Sequence, residues 1–270
     1  MKPKALILRS AGANCDSETA YAFERAGATG ELVHLNRLLE NPAALRDHQI
    51  LAVPGGFSYG DDIAAGKILA RKLSHHLYEP LRDFVAAGKP IIGICNGFQV
   101  LVKTDLLPGA VNGRTGQLCT LTNNDNGRFV DQWIHLTPVS NKCVWTAGLE
   151  RFDLPIAHGE GRFVYADQDV RQAMRANDQI ALVYVKADGS PANADFPDNP
   201  NGSADDIAGI CDESGLVFGL MPHPERYLEP FQHPANASQA TLESGLSCGA
   251  GLTIFRRGVA HALSAVGAGV

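Results

Sequence analysis

Within its first hundred residues the chain switches repeatedly between two hydrophobic periods, and that alternation limits the folds open to it. ALILR (5–9), ELVHL (31–35), ILAVPGG (50–56) and PIIGIC (90–95) are short apolar runs rich in β-branched residues. Between them DSETAYAFERAGA (16–28), NPAALRDH (41–48) and SHHLYEPLRDFVAAG (74–88) carry helical spacing. Asp16 is the expected N-cap of the first helix, which ends at Gly27. The third is expected to run from Ser74 to Gly88. Strand, helix, strand at this spacing predicts an α/β fold with a mostly parallel central sheet and helices on both faces. Ligands of such sheets bind beyond the carboxyl ends of the strands, where PGGF (54–57) and GICNG (93–97) both fall.

From about residue 109 the texture changes. FVDQWIHL (129–136), IAHGEGRFVYA (156–166) and QIALVYV (179–185) predict an added antiparallel or mixed section around glycine-rich turns. DGSPANADFPDNPNGSADD (188–206) reads as a surface loop. Two strands follow, IAGICDE (207–213) and GLVFGLMPH (215–223), then a last helix, LTIFRRGVAHALSAV (252–266). No internal repeat interrupts the series, so residues 1–270 are expected to form one domain.

Composition removes several function classes. At 45% hydrophobic residues the chain has material for a continuous core. A net charge of −6 argues against a nucleic-acid binder, which would present a basic face. MKPKALILRS is too short an apolar stretch for a signal peptide and no run approaches a membrane span, so a cytoplasmic protein is expected. The six cysteines, at 15, 95, 119, 143, 211 and 248, form no CxxC and no zinc-finger spacing, and no metal is expected. The default for each is a buried small hydrophobe in a reducing compartment.

Cys95 departs from that default. Gly93-Ile94-Cys95-Asn96-Gly97 fits a nucleophile elbow with cysteine in place of serine. A sharp strand-to-helix turn needs small residues two before and two after the nucleophile, because larger side chains would collide there. The turn sets the thiol at a helix N-terminus, where partial positive charge favours thiolate. It also frees the Asn96 N–H to face an oxyanion. Gln99, one helical turn on, projects toward the side of Cys95 and is a candidate substrate contact.

A cysteine nucleophile needs a base, and nine histidines compete. Six lie within strand or helix patterns, and His233 lies in the polar tail. Of His158 and His223, the second follows an apolar strand in MPHPER, bracketed by Pro222 and Pro224. Extended backbone there would put His223 and Glu225 on one side, a base with its orienting carboxylate. Gly55 and Gly56 in PGGF would supply a second oxyanion donor, although an ordinary strand-to-helix turn has the same residues. HGEGRF (158–163) is either a hairpin turn or a binding loop on its chemistry alone.

GICNGFQ together with PHPE resembles the class I glutamine amidotransferases. Six ordered blocks are narrower: RSAGANCD (9–16), PGGFSYGDD (54–62), CNGFQ (95–99), IAHGEGRF (156–163), NPNGSADDIAGI (199–210) and GLMPHPER (219–226) resemble the formylglycinamide ribonucleotide amidotransferases of purine synthesis. The match spans about 4–227 as core, with 228–270 as a C-terminal extension. The resemblance implies that Cys95 is the nucleophile, His223 the base and Glu225 its orienter. It further implies that Gly55 or Gly56 with the N–H of Asn96 forms the oxyanion hole, and that Gln99 helps hold L-glutamine. The expected partner is a synthetase subunit of the same enzyme, with room for a small accessory subunit. ATP and Mg²⁺ belong to that partner, and no cofactor to this chain, which has neither a P-loop nor GxGxxG. Cys15 lies in a block but lacks an elbow and reads as structural. Two other readings stay open: a different cysteine hydrolase such as an intracellular peptidase, and a non-catalytic scaffold subunit. The first would lack Gln99, and the second would have lost part of the triad.

Overall fold

The apolar runs of the N-terminal region become neighbouring parallel strands. In the computed structural model, which describes residues 2–236 and 248–267, β1 (Lys4–Arg9) lies between β2 (Thr29–His34) and β3 (Ile50–Val53). β4 (Ile91–Ile94) pairs with β3. The fifth parallel member comes from far along the chain: β11 (Val217–Leu220) pairs with β4, Leu220 opposite Ile94. Every residue of β3, β4 and β11 is buried, as unbroken apolar runs require when both faces of a strand are covered.

The sheet continues with reversed polarity. β10 (Ile207–Cys211), β9 (Ile180–Val185), β6 (Val130–Pro138) and β7 (Phe152–His158) add antiparallel to β11 in that order. β5 (Cys119–Thr122) and β8 (Arg162–Tyr165) form a separate antiparallel pair. The expected added section is thus an extension of the same sheet, and strand β7 brings its end back toward β4 and β11.

Helices cover the parallel part in two groups. α1 (Asp16–Arg25) packs with the last helix, α7 (Ala250–Gly267), and α3 (Lys67–His76) packs with α5 (Asn96–Lys103). Phe23 of α1 meets Phe255 of α7 edge-on at 5.0 Å. A methyl group on Gly258 would lie 2.2 Å from the Trp145 ring, so only glycine lets α7 approach that closely. Among the described residues no helix is long and apolar enough to cross a membrane.

Several local expectations are corrected. The helix read from Ser74 to Gly88 is two, α3 and α4 (Tyr78–Ala86), broken at Leu77, which leaves helical geometry and is wholly buried. Asp16 is not an N-cap: Cys15 holds that position without a side-chain bond, and the Asp16 carboxylate pairs with Arg9 at 2.8 Å. Within the stretch 41–48, Pro42–Asp47 form a 3-10 helix rather than an α-helix. Two short helices went unread, α2 (Leu35–Glu40), capped by the His34 ring, and α6 (Gln168–Ala176), capped by Asp167. The stretch 188–206 is only partly a surface loop. Asn199, Asn201 and Ser203 are almost entirely buried beneath the 158–163 segment.

Candidate active site

β4 and β11 end side by side, and each delivers one reactive group. At the end of β4 the chain turns into α5 through Cys95, whose φ of 50° and ψ of −107° are strained for a residue with a side chain. Close backbone contact explains the flanking glycines. A Cβ on Gly97 would sit 1.8 Å from the Val53 oxygen, and one on Gly93 would sit 2.7 Å from the Gly97 oxygen. The Cys95 N–H donates to Leu220 at 2.8 Å, locking the elbow to β11. Its Sγ lies 3.9 Å from the Ala157 carbonyl oxygen of β7.

After β11 and the Met221–Pro222 pair, His223 donates its backbone N–H to the Pro155 oxygen at 2.9 Å. Its Nδ1 is 2.6 Å from Glu225 Oε1, and both side chains are sealed from solvent. The route to that contact differs from the sequence expectation. Pro224–Arg226 form a 3-10 turn, with proline at its first position, so Glu225 folds back under His223 rather than sharing an extended face. Burial alone would lower the His223 pKa. The Glu225 carboxylate and the neighbouring Cys95 sulfur outweigh it, and the ring is held well above its ordinary value.

The brace around the elbow is polar and buried. Asn96 Oδ1 accepts from the Ser58 N–H at 3.2 Å, while its Nδ2 donates to Asp61 and to Gln99 Oε1, each at 3.1 Å. The backbone N–H of Asn96, first in α5, has no intrahelical acceptor. Gln99 reaches the pocket wall as expected, but its Nε2 donates to the Glu160 carbonyl at 2.5 Å, tying the 158–163 segment to α5. Gly56 has φ of 131°, and a Cβ there would lie 2.6 Å from the Asn14 nitrogen. Gly55 touches the His223 ring closely enough that a Cβ would meet Cε1 at 3.0 Å.

Cys15, expected to be structural, borders the same pocket as Cys95. Its sulfur accepts from Arg226 Nη2 at 3.3 Å, and Arg226 Nε also reaches Glu18 at 3.3 Å. Burial pushes this thiol up, so it stays protonated beside His223 and Glu225. Cys15, His223 and Glu225 each offer a ligand atom within 4.8 Å of the others, close enough for a metal ion. The donor set fits one poorly: His223 Nδ1 is already bound to Glu225, and a guanidinium supplies positive charge at the sulfur. The signal for Cys15 in the sequence was its place in the RSAGANCD block.

These groups line a pocket of about 380 Å³, with Phe57 and Phe129 at its sides. A larger cleft of about 1140 Å³ lies by Gly88, Asp105 and Leu216, at the opposite ends of β4 and β11. Its lining holds no cysteine or histidine, and every site residue expected from the sequence lies away from it.

A thiol on a strand-to-helix elbow, beside a histidine and glutamate that follow the adjacent strand, is the arrangement a cysteine-dependent acyl transfer on an α/β sheet requires. Residues 2–262 match the CobB/CobQ-like glutamine amidotransferase domain, the class that this fold and site describe. The chain is 46% identical over 260 residues to the phosphoribosylformylglycinamidine synthase subunit PurQ of Dehalococcoides mccartyi, covering 96% of this chain and 97% of that one. It is 44% identical over 234 residues to the subunit of the same name from Methanococcus maripaludis, covering 86% and 85%. A chain in the structure of PurLQS from Thermotoga maritima superposes with a TM-score of 0.69 at 31% identity, over 97% of this chain and 100% of that one. A Thermotoga maritima glutamine amidotransferase shares the fold at a TM-score of 0.51 and 14% identity, over 98% and 97%. The chain belongs to the PurQ family of glutamine amidotransferases.

Proposed function

We propose that this chain is the glutaminase subunit of a phosphoribosylformylglycinamidine synthase. It hydrolyses L-glutamine to glutamate and passes the ammonia to a synthetase subunit, which converts formylglycinamide ribonucleotide to formylglycinamidine ribonucleotide with ATP. The observation that carries the reading is the strained Cys95 beside a His223–Glu225 pair already joined at 2.6 Å. Residues 1–270 act as one unit in this reading, supported by the packing of α7 back onto α1. The protein works in the cytoplasm, where a thiol nucleophile stays reduced.

The steps follow from the geometry. Cys95 Sγ attacks the carboxamide carbon of glutamine; a C–S bond forms and the oxygen takes the negative charge. The N–H of Asn96, with that of Gly55 or Gly56, stabilises this oxyanion, a contribution of roughly 2.7–4 kcal/mol per donor in such sites. His223 gives its proton to the nitrogen, the C–N bond breaks and ammonia leaves a γ-glutamyl thioester. His223 then takes a proton from water, which attacks the thioester and releases glutamate. Glu225 holds the ring in the required tautomer and stabilises the imidazolium. Gln99 keeps the 158–163 wall in place against the substrate. ATP and Mg²⁺ are assigned to the synthetase subunit and no cofactor to this chain.

Cys95→Ala tests this division of labour in the assembled enzyme. Glutamine-dependent product formation should disappear, while ammonia-dependent formation at high ammonium concentration should persist. Loss of both activities with the complex intact would refute the proposal.

A further inference from the structure

The wall opposite the elbow holds a group that these steps leave unused. His158 ends β7, is 3% exposed and borders the same pocket as Cys95 and His223. Its strand runs against both catalytic groups, through Ala157 at the Cys95 sulfur and Pro155 at the His223 backbone. The imidazole is held from one side. Nδ1 lies 3.2 Å from Asn124 Oδ1. The orientation of that amide is fixed, because its Nδ2 donates to the carbonyls of Arg128 and His158, and its Oδ1 also accepts from the Gly161 N–H. An acceptor at Nδ1 places the ring hydrogen there and leaves a lone pair on Nε2. Nε2 is buried and has no protein partner. The ring has little freedom, since it occupies the space where a Cβ on Gly161 would sit. Burial, reinforced by the nearby His223, pulls its pKa down to about 3, so it is a neutral acceptor at working pH.

A buried acceptor left without a partner forfeits its hydration with nothing in return. His158 lines the pocket, and an unpaired acceptor on a residue placed there calls for a donor. We propose, building on the glutaminase reading, that His158 Nε2 accepts an N–H of the glutamine carboxamide and then of the ammonia formed from it. The donor must carry hydrogen, because Nε2 does not. Glutamine offers N–H at its side-chain amide and at its α-ammonium. The amide is the end placed between Cys95 and His223, and His158 lies close enough to feel the His223 charge. An N–H directed at His158 turns the developing lone pair of the nitrogen toward His223. On collapse the C–N electrons pass to nitrogen, the His223 proton is transferred to it, and NH₃ departs with a hydrogen still on His158. A ring so weakly basic accepts that hydrogen bond without taking the proton.

The test compares L-glutamine with L-glutamate γ-methyl ester, whose leaving group has no N–H, in the enzyme assembled with its synthetase subunit. His158→Phe and the smaller His158→Leu both remove the acceptor, and His158→Gln returns one. Steady-state kcat and KM for each substrate give an amide-to-ester ratio that does not depend on how much of a variant folds. That ratio should fall about 10–100-fold in the Phe and Leu variants, the worth of one such hydrogen bond in the transition state, and recover in part with Gln. Equal loss on both substrates would overturn the proposal in favour of an α-ammonium contact, seen in KM, or a purely packing role. An unchanged ratio with unchanged rates would also overturn it. Wild-type enzyme inert toward glutamine would sink the glutaminase reading itself, and this inference with it.

Discussion

The parallel and antiparallel halves of the central sheet contribute to the pocket by different means. The parallel half supplies the proposed reactive groups at strand ends, each placed by a backbone turn: Cys95 by the Gly93–Gly97 elbow and His223 by the turn after β11. The antiparallel half supplies no nucleophile or base. It presents a wall held by buried amides, with Asn124 binding His158 and Gly161, and Asn201 donating to the Gly161 carbonyl at 2.9 Å and the Tyr184 hydroxyl at 3.2 Å. Placing a reacting atom takes backbone geometry, whereas shaping a wall takes side chains collected from distant parts of the chain. The two halves should therefore fail differently when altered.

The largest effect is expected where chemistry sits. His223→Ala should slow Cys95 acylation by glutamine by roughly 10²–10⁴, with thermal unfolding little changed in cooperativity. Single-turnover trapping of the thioester measures it, and a variant within tenfold of wild type would remove His223 from the proton transfers.

Next comes a contrast in stability. Gly97→Ala drives a methyl group into the Val53 carbonyl and should cost about 3 kcal/mol or more. Asn201→Ala leaves the buried Gly161 carbonyl only the longer Ser203 hydroxyl contact at 3.4 Å and should cost about 1–3 kcal/mol, with a raised KM for glutamine. Urea midpoints for the two variants, read beside KM, would blur the comparison if Gly97→Ala proved the milder change.

The smallest effect is a pH slope. His158 has a folded pKa of about 3 against an unfolded value near 6.5, so its contribution is present above pH 6.5 and is lost as pH falls toward 3. His223, raised in the fold, acts in the opposite sense: its contribution is complete below the unfolded value and is lost as pH rises through the folded one. Between pH 6.5 and 5 wild type should lose about 1–2 kcal/mol more than His158→Gln in urea titrations. Parallel slopes for the two proteins would mean that His158 is not buried as a neutral ring.

This division also explains what the sequence disclosed. GICNG and MPHPE were legible because an elbow and a following turn are specified by adjacent residues, and the alternation of periods exposed the parallel strands. The Glu225 contact was anticipated, though by the wrong backbone route. Asn124, Asn201 and Ser203 were not legible as a lattice. They come from two distant segments, and the polarity of 188–206 pointed to solvent although Asn201 and Ser203 are buried and bond each other. Cys15 was missed for a related reason: what makes it part of the pocket is Arg226, 211 residues away. The helix break at Leu77 falls just before Pro80, which has no N–H to continue the preceding helix and sits in the first turn of α4.

The register of β4 against β11 has one more consequence. The proposed nucleophile and base follow strands paired at Ile94 and Leu220, with the Cys95 amide itself bonded into that pairing. Their separation is tied to interstrand spacing, about 4.8 Å, at the centre of the sheet. Amides there should exchange with solvent only through the highest-energy openings of the native state. On heating, thiol and imidazole should stay in register until the last cooperative unit melts, so acylation would be lost together with the slowest-exchanging amides and not before them.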